Sequence, residues 1–411
     1  MTTSLPAPVD LGDLLEPFAR RGVDLGLDRL KAALAEGGDP QNAFPAVQVA
    51  GTNGKGSIAT QLHAILRAAG VASACYRSPH LVSWCERLEL GDAWISPEQL
   101  RADLRRWQAI ARQHDLTPFE LLTAAAFDRC AAAGIDLAVL EVGLGGRLDA
   151  TTTHPDRGVV GFGSIGLDHR EHLGDTLAAI AAEKAAVMSP GAIAVSGHQD
   201  PEAAEVMKAV ARQVGCELRW VEPLPAEHRG GPRLGLMGDW QRSNAAVALG
   251  MARALVERGW PIPEPAMAAG LAAARWPGRL ERRLWHGREL LLDGAHNPPA
   301  AAALRQELDR LDPGLPTTWL LGIQRQKQAP QMLESLLAPA DRAWLVPIPD
   351  HRCWSAADLL AERPQLRGRL LEASDPAAGL AALMAGAATG ERVVVAGSLH
   401  LLGCVIPLLD P

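Results

Sequence analysis

The chain has 411 residues, 48% of them hydrophobic and 21% charged, with a formal net charge of −7. That length suits two or three domains with cores of their own. No apolar run approaches the roughly 18–20 residues needed to span a bilayer, and an acidic balance disfavours nucleic acid, whose binding needs a basic face. Six scattered cysteines without a C-x-x-C pair indicate neither a zinc site nor a disulfide framework. Residues 1–8 lack the basic start and apolar core of a secretory signal. A cytoplasmic protein is expected, binding neither membrane nor nucleic acid.

Residues 10–36 read as a helix that breaks at Arg21-Gly22, continues through Val23-Asp24-Leu25-Gly26-Leu27, and ends in a second short helix. From the residues alone, Asp24 is an ordinary charge near a helix N-terminus. The apolar run Ala46-Val47-Gln48-Val49-Ala50 predicts a strand and residues 58–69 a helix. Between them lies Gly51-Thr52-Asn53-Gly54-Lys55-Gly56-Ser57. Strand, glycine loop and helix form a phosphate cradle: backbone N–H groups turn inward, the helix dipole adds positive charge, Lys55 supplies a mobile cation and Ser57 a hydroxyl for Mg²⁺. The natural ligand is a nucleoside triphosphate. Val49 stands where the common pattern has its first glycine, and Gly56 separates Lys55 from Ser57. A glycine-rich turn beside a surface lysine is the plainer alternative.

A second strand at 72–76 leads into Arg77-Ser78-Pro79-His80, which sets Ser78 and His80 at the ligand-binding edge of a parallel sheet. Alternatively, Ser-Pro only starts a turn. Residues 84–90 alternate like a short strand, and Ser96-Pro97 and Thr117-Pro118-Phe119-Glu120 each open a helix. The run Leu137-Ala138-Val139-Leu140 ends at Glu141, where a nucleotide-bound Mg²⁺ finds a carboxylate. Residues 143–149 form a flexible turn expected to present Arg147 and Asp149 to a substrate. The next strand, from 159, runs out to His169. A lone histidine at a strand end is usually a surface group, but this one follows three other polar strand ends and is assigned to the same edge.

In a predicted helix over 175–188, Lys184 shares an apolar stripe with Leu177, Ile180, Ala181 and Met188. Either its stem packs while the amine reaches water, or the amine reacts with CO₂ to become a carbamate and a metal ligand. Asn244 lies on the buried face of the helix after Gly238-Asp239, where an adenine edge is a suitable partner. Beyond residues 275–281 a second βα series begins. A strand at 290–292 ends in Asp293 and a Gly294-Ala295-His296-Asn297-Pro298 turn, with Asn297 as cap. Further strands at 318–322, 343–348 and 392–396 alternate with helices at 330–337, 355–362 and 376–388. The predicted fold class is α/β: a P-loop parallel-sheet ATP-binding domain over 1–277, then a smaller Rossmann-like α/β domain over 278–411. Arg279, Asp293 and His296 are placed to close over a nucleotide.

Together these stretches resemble the dihydrofolate synthase/folylpolyglutamate synthase family of Mur-type amide ligases. The resemblance is carried by Asp24-Leu25-Gly26-Leu27, the loop ending Gly56-Ser57, Ser78-Pro79-His80-Leu81, Glu141 through Thr151, Leu167-Asp168-His169, Glu183-Lys184-Ala185 and Asp293 through Pro298. It implies ATP as co-substrate and two Mg²⁺ sites, one on Ser57 and Glu141, the other on Ser78, His169 and carbamylated Lys184. K⁺ is a candidate further cation. It implies ATP contacts at residues 51–57, Asn244, Arg279 and Asp293, and a pterin site at Val23, Asp24 and Leu25, at Thr117, Pro118, Phe119 and Glu120, and at Leu148, Asp149 and Ala150. Lys55 would stabilise the transferring phosphoryl group, Lys184 would serve it through the second metal, and His296 would stand near an acyl phosphate. The implied reaction adds L-glutamate to dihydropteroate and to reduced folates, in a monomer. Alternatives are a folylpolyglutamate synthase without the dihydropteroate activity, a ligase acting on UDP-linked cell-wall peptides, and a nucleotide-binding protein that has lost catalysis. Trp240, Thr152, Gln326 and Gln328 depart from the family pattern.

Overall fold

The computed structural model describes residues 5–388 and 390–409; residues 1–4, on which the reading of the N-terminus partly rests, lie outside them. The chain divides into two compact units, Met1–Leu236 with Gln241–Arg275, and Met237–Trp240 with Trp276–Pro411.

The first unit holds eight strands: β1 (Ala46–Ala50), β2 (Ser73–Tyr76), β3 (Leu88–Leu90), β4 (Ala93–Trp94), β5 (Leu137–Glu141), β6 (Arg157–Phe162), β7 (Ile193–Ser196) and β8 (Glu217–Trp220). Their order is β4-β3-β2-β5-β1-β6-β7-β8, parallel except where β3 and β4 turn back at one edge. All five residues of β1 are buried, as in a strand covered on both faces. Gln48 is tolerated there because its amide donates to the Thr151 and Thr152 hydroxyls at 2.8 and 3.0 Å, and its carbonyl accepts from Arg157. Strands added after β1 go to both of its sides, so the crevice at the carboxyl ends of β1, β5 and β6 is where a doubly wound sheet binds its ligand.

The second unit holds β9 (Glu281–Trp285), β10 (Arg288–Leu292), β11 (Thr317–Leu321), β12 (Arg342–Leu345), β13 (Leu370–Glu372) and β14 (Arg392–Ala396). Their order is β13-β12-β11-β14-β10-β9, and only β9 is antiparallel. The α/β class and its two mostly parallel sheets are as predicted; the β9–β10 hairpin, the interior strand β7 and the edge strands β4, β8 and β13 were not. Among the described residues no helix is long and apolar enough to cross a membrane.

Three local expectations need correction. The helix after the glycine loop begins at Lys55, not Ile58, and runs to Ala68. Residues 84–87 form a helical turn rather than a strand, because the Glu86 carboxylate accepts from the backbone N–H of Leu81, Val82 and Ser83, and only Leu88–Leu90 pair. The Lys184 helix is shorter than predicted, Leu177–Ala185, with Thr176 capping its start.

Two core histidines make the fold acid-sensitive. Burial pushes His63 and His154 down from 6.5 to about 4. Between those values the unfolded chain binds protons that the folded chain does not, so stability is full above pH 6.5 and is lost as pH falls toward 4. Each site contributes about 2 kcal/mol of loss between roughly pH 7.5 and 5. The His154 ring lies 5.2 and 5.7 Å from those of Phe44 and Phe127, a setting a phenylalanine suits. His154→Phe should therefore remove about 2 kcal/mol of the stability lost between those pH values, read from urea midpoints. An unchanged loss would show that His154 is not responsible.

Candidate active site

Four strand ends meet at one edge of the first sheet. β1 delivers Gly51, and the N–H groups of Thr52 and Asn53 donate to Ser164 O beyond β6, at 2.8 and 3.1 Å. Thr52 Oγ1 donates to Gly166 O and accepts from Gly166 N, both at 3.0 Å. This approach needs a glycine at 163, where a Cβ would lie 2.1 Å from Asn53 O. Gln199 fastens the same segment, donating to Gly163 O at 3.0 Å and accepting from Ile165 N at 2.8 Å. Gly54, at φ 87°, then turns the chain into the helix that starts at Lys55, so the positive helix end stands inside the loop. Lys55 Nζ donates to Thr52 O at 3.2 Å. Gly56 and Ser57 occupy the first helical turn, and Ser57 Oγ accepts from Gln241 Nε2 at 3.2 Å. The Gln241 carbonyl in turn accepts from Asn244 at 2.9 Å, which brings Asn244 to the cradle.

Glu141 ends β5, buried and level with Val49, and its Oε2 accepts from Ser78 N at 3.1 Å. The carboxylate and the Ser78 turn are thus neighbours. His80 is engaged by Arg87, whose Nε donates to its Nδ1 at 3.0 Å. Lys184 is only 4% exposed. Burial, helped by the charge of Lys55, pushes its pKa down to about 7 against the pull of Asp168 and Asp149, so near neutral pH much of it is free amine. His169 follows at a left-handed turn (φ 51°), its side chain 43% exposed and its Nδ1 3.9 Å from Glu171.

Among the described residues no three His, Cys, Asp or Glu side chains form a metal cluster. The oxygens of Ser57, Ser78 and Glu141 fit Mg²⁺ nonetheless, since that ion takes one or two carboxylates and completes its shell with phosphate and water.

Arg29 joins the first two of the three segments assigned to a pterin, and Gly143 lies close to residues of the second and third. Arg29 Nη1 lies 3.0 Å from Asp24 Oδ2, and Nη2 donates to Asp24 O at 2.8 Å and to Glu120 Oε1 at 3.2 Å. Glu120 Oε2 accepts from Thr117 N at 2.7 Å, closing the cap of the helix Pro118–Ala133. On the other side, a Cβ on Gly143 would lie 2.6 Å from the Phe119 ring and 3.2 Å from Asp149 Oδ2. Asp149 does not present its charge at a flexible turn as expected. It is buried, accepts from Leu144 N at 2.9 Å and from the Thr151 backbone and hydroxyl, and burial raises its pKa. Ala150 is buried behind it, whereas Val23 and Leu148 are 55% and 37% exposed. Leu25 is half-buried. Arg147 pairs with Glu183 at 3.0 Å, tying this turn to the Lys184 helix.

In the second unit Asp293 is buried, with its pKa raised by desolvation against the charge of Arg279. It accepts from Leu280 N at 2.8 Å and Ala295 N at 2.9 Å, so the Arg279 turn and the strand end are one assembly. His296 Nδ1 donates to Gly294 O at 2.8 Å, and Asn297 caps Pro298–Leu311.

Sequence reasoning did not single out Arg29, Gly163, Gln199 or Gln241. Of the departures, Thr152 is accommodated by donating to Gly146 O at 2.7 Å, Gln326 by donating to Gln324 at 3.1 Å, and Trp240 by packing on Gly238 and the core of the second unit.

A glycine cradle, a buried strand-end carboxylate and two lysines at one sheet edge define a Mur-type ligase, and residues 49–219 match the Mur ligase middle domain. Residues 281–408 match the dihydrofolate synthetase C-terminal domain. The chain belongs to the dihydrofolate synthase/folylpolyglutamate synthase family. It is 31% identical over 349 residues to the dihydrofolate synthetase of Saccharomyces cerevisiae, covering 79% of this chain and 81% of that protein. Escherichia coli FolC in complex with DHPP and ADP superposes with a TM-score of 0.86 at 29% identity, over 99% of both chains. The bifunctional folylpolyglutamate synthase/dihydrofolate synthase of Yersinia pestis complexed with AMPPNP and Mn ion does so with a TM-score of 0.86 at 30% identity, over all of both chains.

Proposed function

We propose that this protein is an ATP-dependent ligase that adds L-glutamate to dihydropteroate, giving dihydrofolate, and to the γ-carboxylate of reduced folates, giving polyglutamates. The observation that carries the acceptor assignment is the joining of Asp24 to Glu120 by Arg29, with Phe119, next to Glu120, and Asp149 both close to Gly143. In the reaction a carboxylate oxygen of the acceptor attacks the γ-phosphorus of ATP, ADP leaves, and the glutamate nitrogen then displaces phosphate from the acyl phosphate while losing a proton. Lys55 and the loop N–H groups hold the triphosphate and offset charge on the moving phosphoryl group, which is chiefly positional and electrostatic work. Ser57 and Glu141 would hold one Mg²⁺, and Ser78, His169 and carbamylated Lys184 a second; bound metal adds charge stabilisation for phosphoryl transfer. K⁺ is an additional candidate ion.

Asn244, Arg279 and Asp293 are assigned to ATP and His296 to the acyl phosphate. We assign ATP and acceptor binding to residues 1–277 and a glutamate-ligating role to residues 278–411. We infer a cytoplasmic setting from composition and cysteine usage, and a monomer because the sequence offers no long exposed apolar helix that asks for a partner.

The test is phosphate release from ATP with Mg²⁺ and L-glutamate, with dihydropteroate and tetrahydrofolate supplied in parallel. Release with both is expected. Release with tetrahydrofolate alone would reduce the activity to polyglutamylation. Release with neither would reject the folate reading and turn attention to UDP-linked peptides.

A further inference from the structure

We infer that Arg29 is a positioning residue for the acceptor, a guanidinium latch that holds the Val23–Leu25 segment against the N-terminus of the helix Pro118–Ala133. The inference rests on the folate reading, but its grounds are geometric. One planar group spans two chain segments, its partners Asp24 and Glu120 lying five and 91 residues from it: Nη1 faces the Asp24 carboxylate at 3.0 Å, while Nη2 is shared between Asp24 O at 2.8 Å and Glu120 Oε1 at 3.2 Å. The latch therefore fixes both the Asp24 backbone and its side chain. Its far anchor is rigid, because Glu120 is buried at 3% exposure and its other oxygen caps the helix through Thr117 N at 2.7 Å. Arg29 is itself recessed, its side chain 24% exposed.

What the latch holds suits an aromatic acceptor. Val23 stands 55% exposed beside Asp24, and Phe119 lies one residue before Glu120 with its ring against Gly143. An exposed valine and a half-buried phenylalanine flanking the two carboxylates form a surface for a flat heterocycle with polar edges. A loop held in one conformation before binding spares the acceptor the cost of ordering it. The fork matters as well as the charge: a lysine at 29 offers a point charge that cannot hold Asp24 O, Asp24 Oδ2 and Glu120 in one plane.

The test is steady-state kinetics on the full-length protein with Arg29→Ala and Arg29→Lys, varying dihydropteroate, tetrahydrofolate and ATP in turn, alongside thermal melts. Released from Arg29, the Asp24 segment must be ordered by each acceptor, so the KM of both acceptors should rise about tenfold in Arg29→Ala. The rise in Arg29→Lys should be smaller but measurable, with kcat and the KM for ATP within about twofold of wild type. A merely structural role would instead lower kcat with the folded fraction and leave acceptor KM unchanged, and that result would overturn the inference. If Arg29→Ala fails to fold, Arg29→Lys decides the matter by the same KM readout. A wild type inert toward both acceptors would reject the folate reading itself. A wild type active with both, whose variants keep its KM values, would reject only the latch.

Discussion

Lys184→Ala is expected to lower phosphate release by about a hundred- to thousandfold, the scale seen when one preorganised electrostatic group is removed from an active site. Two observations combine, and the third property follows from them. The ammonium would be buried to 4% exposure on an apolar helix face, it would lie in the field of Lys55, and its pKa is pushed down to about 7. A surface lysine that merely snorkels would show none of these. The free amine can attack the carbon of CO₂ and lose a proton to solvent, leaving an N-carboxylate that turns an unfavourable buried cation into an anion able to face Mg²⁺. The alanine variant leaves room where that group was, so acetate or propionate at high concentration should restore part of the rate. Depleting CO₂ and bicarbonate should slow the wild type and not the variant. A wild-type rate in Lys184→Ala would reject the carbamate.

How much of this site is legible without coordinates depends on whether its chemistry is local in the chain. The cradle is, because glycines, lysine and hydroxyl occur within seven residues between an apolar run and a helical pattern. Glu141 is legible because a charge that ends a wholly apolar strand sits where a cation can reach it, and Lys184 because it violates the periodicity of its own helix. Arg29 is not, since its partners Asp24 and Glu120 lie five and 91 residues away and only the tertiary fold joins them. Gly163 and Gln199 fail for the same reason: each matters through the Asn53–Ser164 approach, a contact across two strands. Asp149 misleads because glycine-rich sequence suggests an open turn, whereas its carboxylate gathers Leu144 N and Thr151 around itself and becomes buried. The short edge strands escape a sequence reading because β8 has no fully buried face and β13 is three residues long, too little for a period to show.

Glu141→Gln is expected to separate the proposed metal binding from nucleotide binding at the same edge. The glutamine keeps the shape of the side chain and a carbonyl that can still accept from Ser78 N, which in the native protein approaches Glu141 Oε2 at 3.1 Å. The fold should therefore survive, and melting temperature should change little. What is lost is the anionic oxygen beside the Ser78 turn, and a neutral amide is a much weaker ligand for a hard divalent cation. The activity is expected to fall at least a hundredfold at low Mg²⁺ and to recover partly as Mg²⁺ is raised, moving the midpoint of the metal titration upward. In EDTA, ADP should bind wild type and variant equally, because the loop N–H groups and Lys55 are untouched. A variant whose Mg²⁺ midpoint matches the wild type, or whose metal-free ADP affinity collapses, would remove Glu141 from the metal site and make it a structural brace for the Ser78 turn.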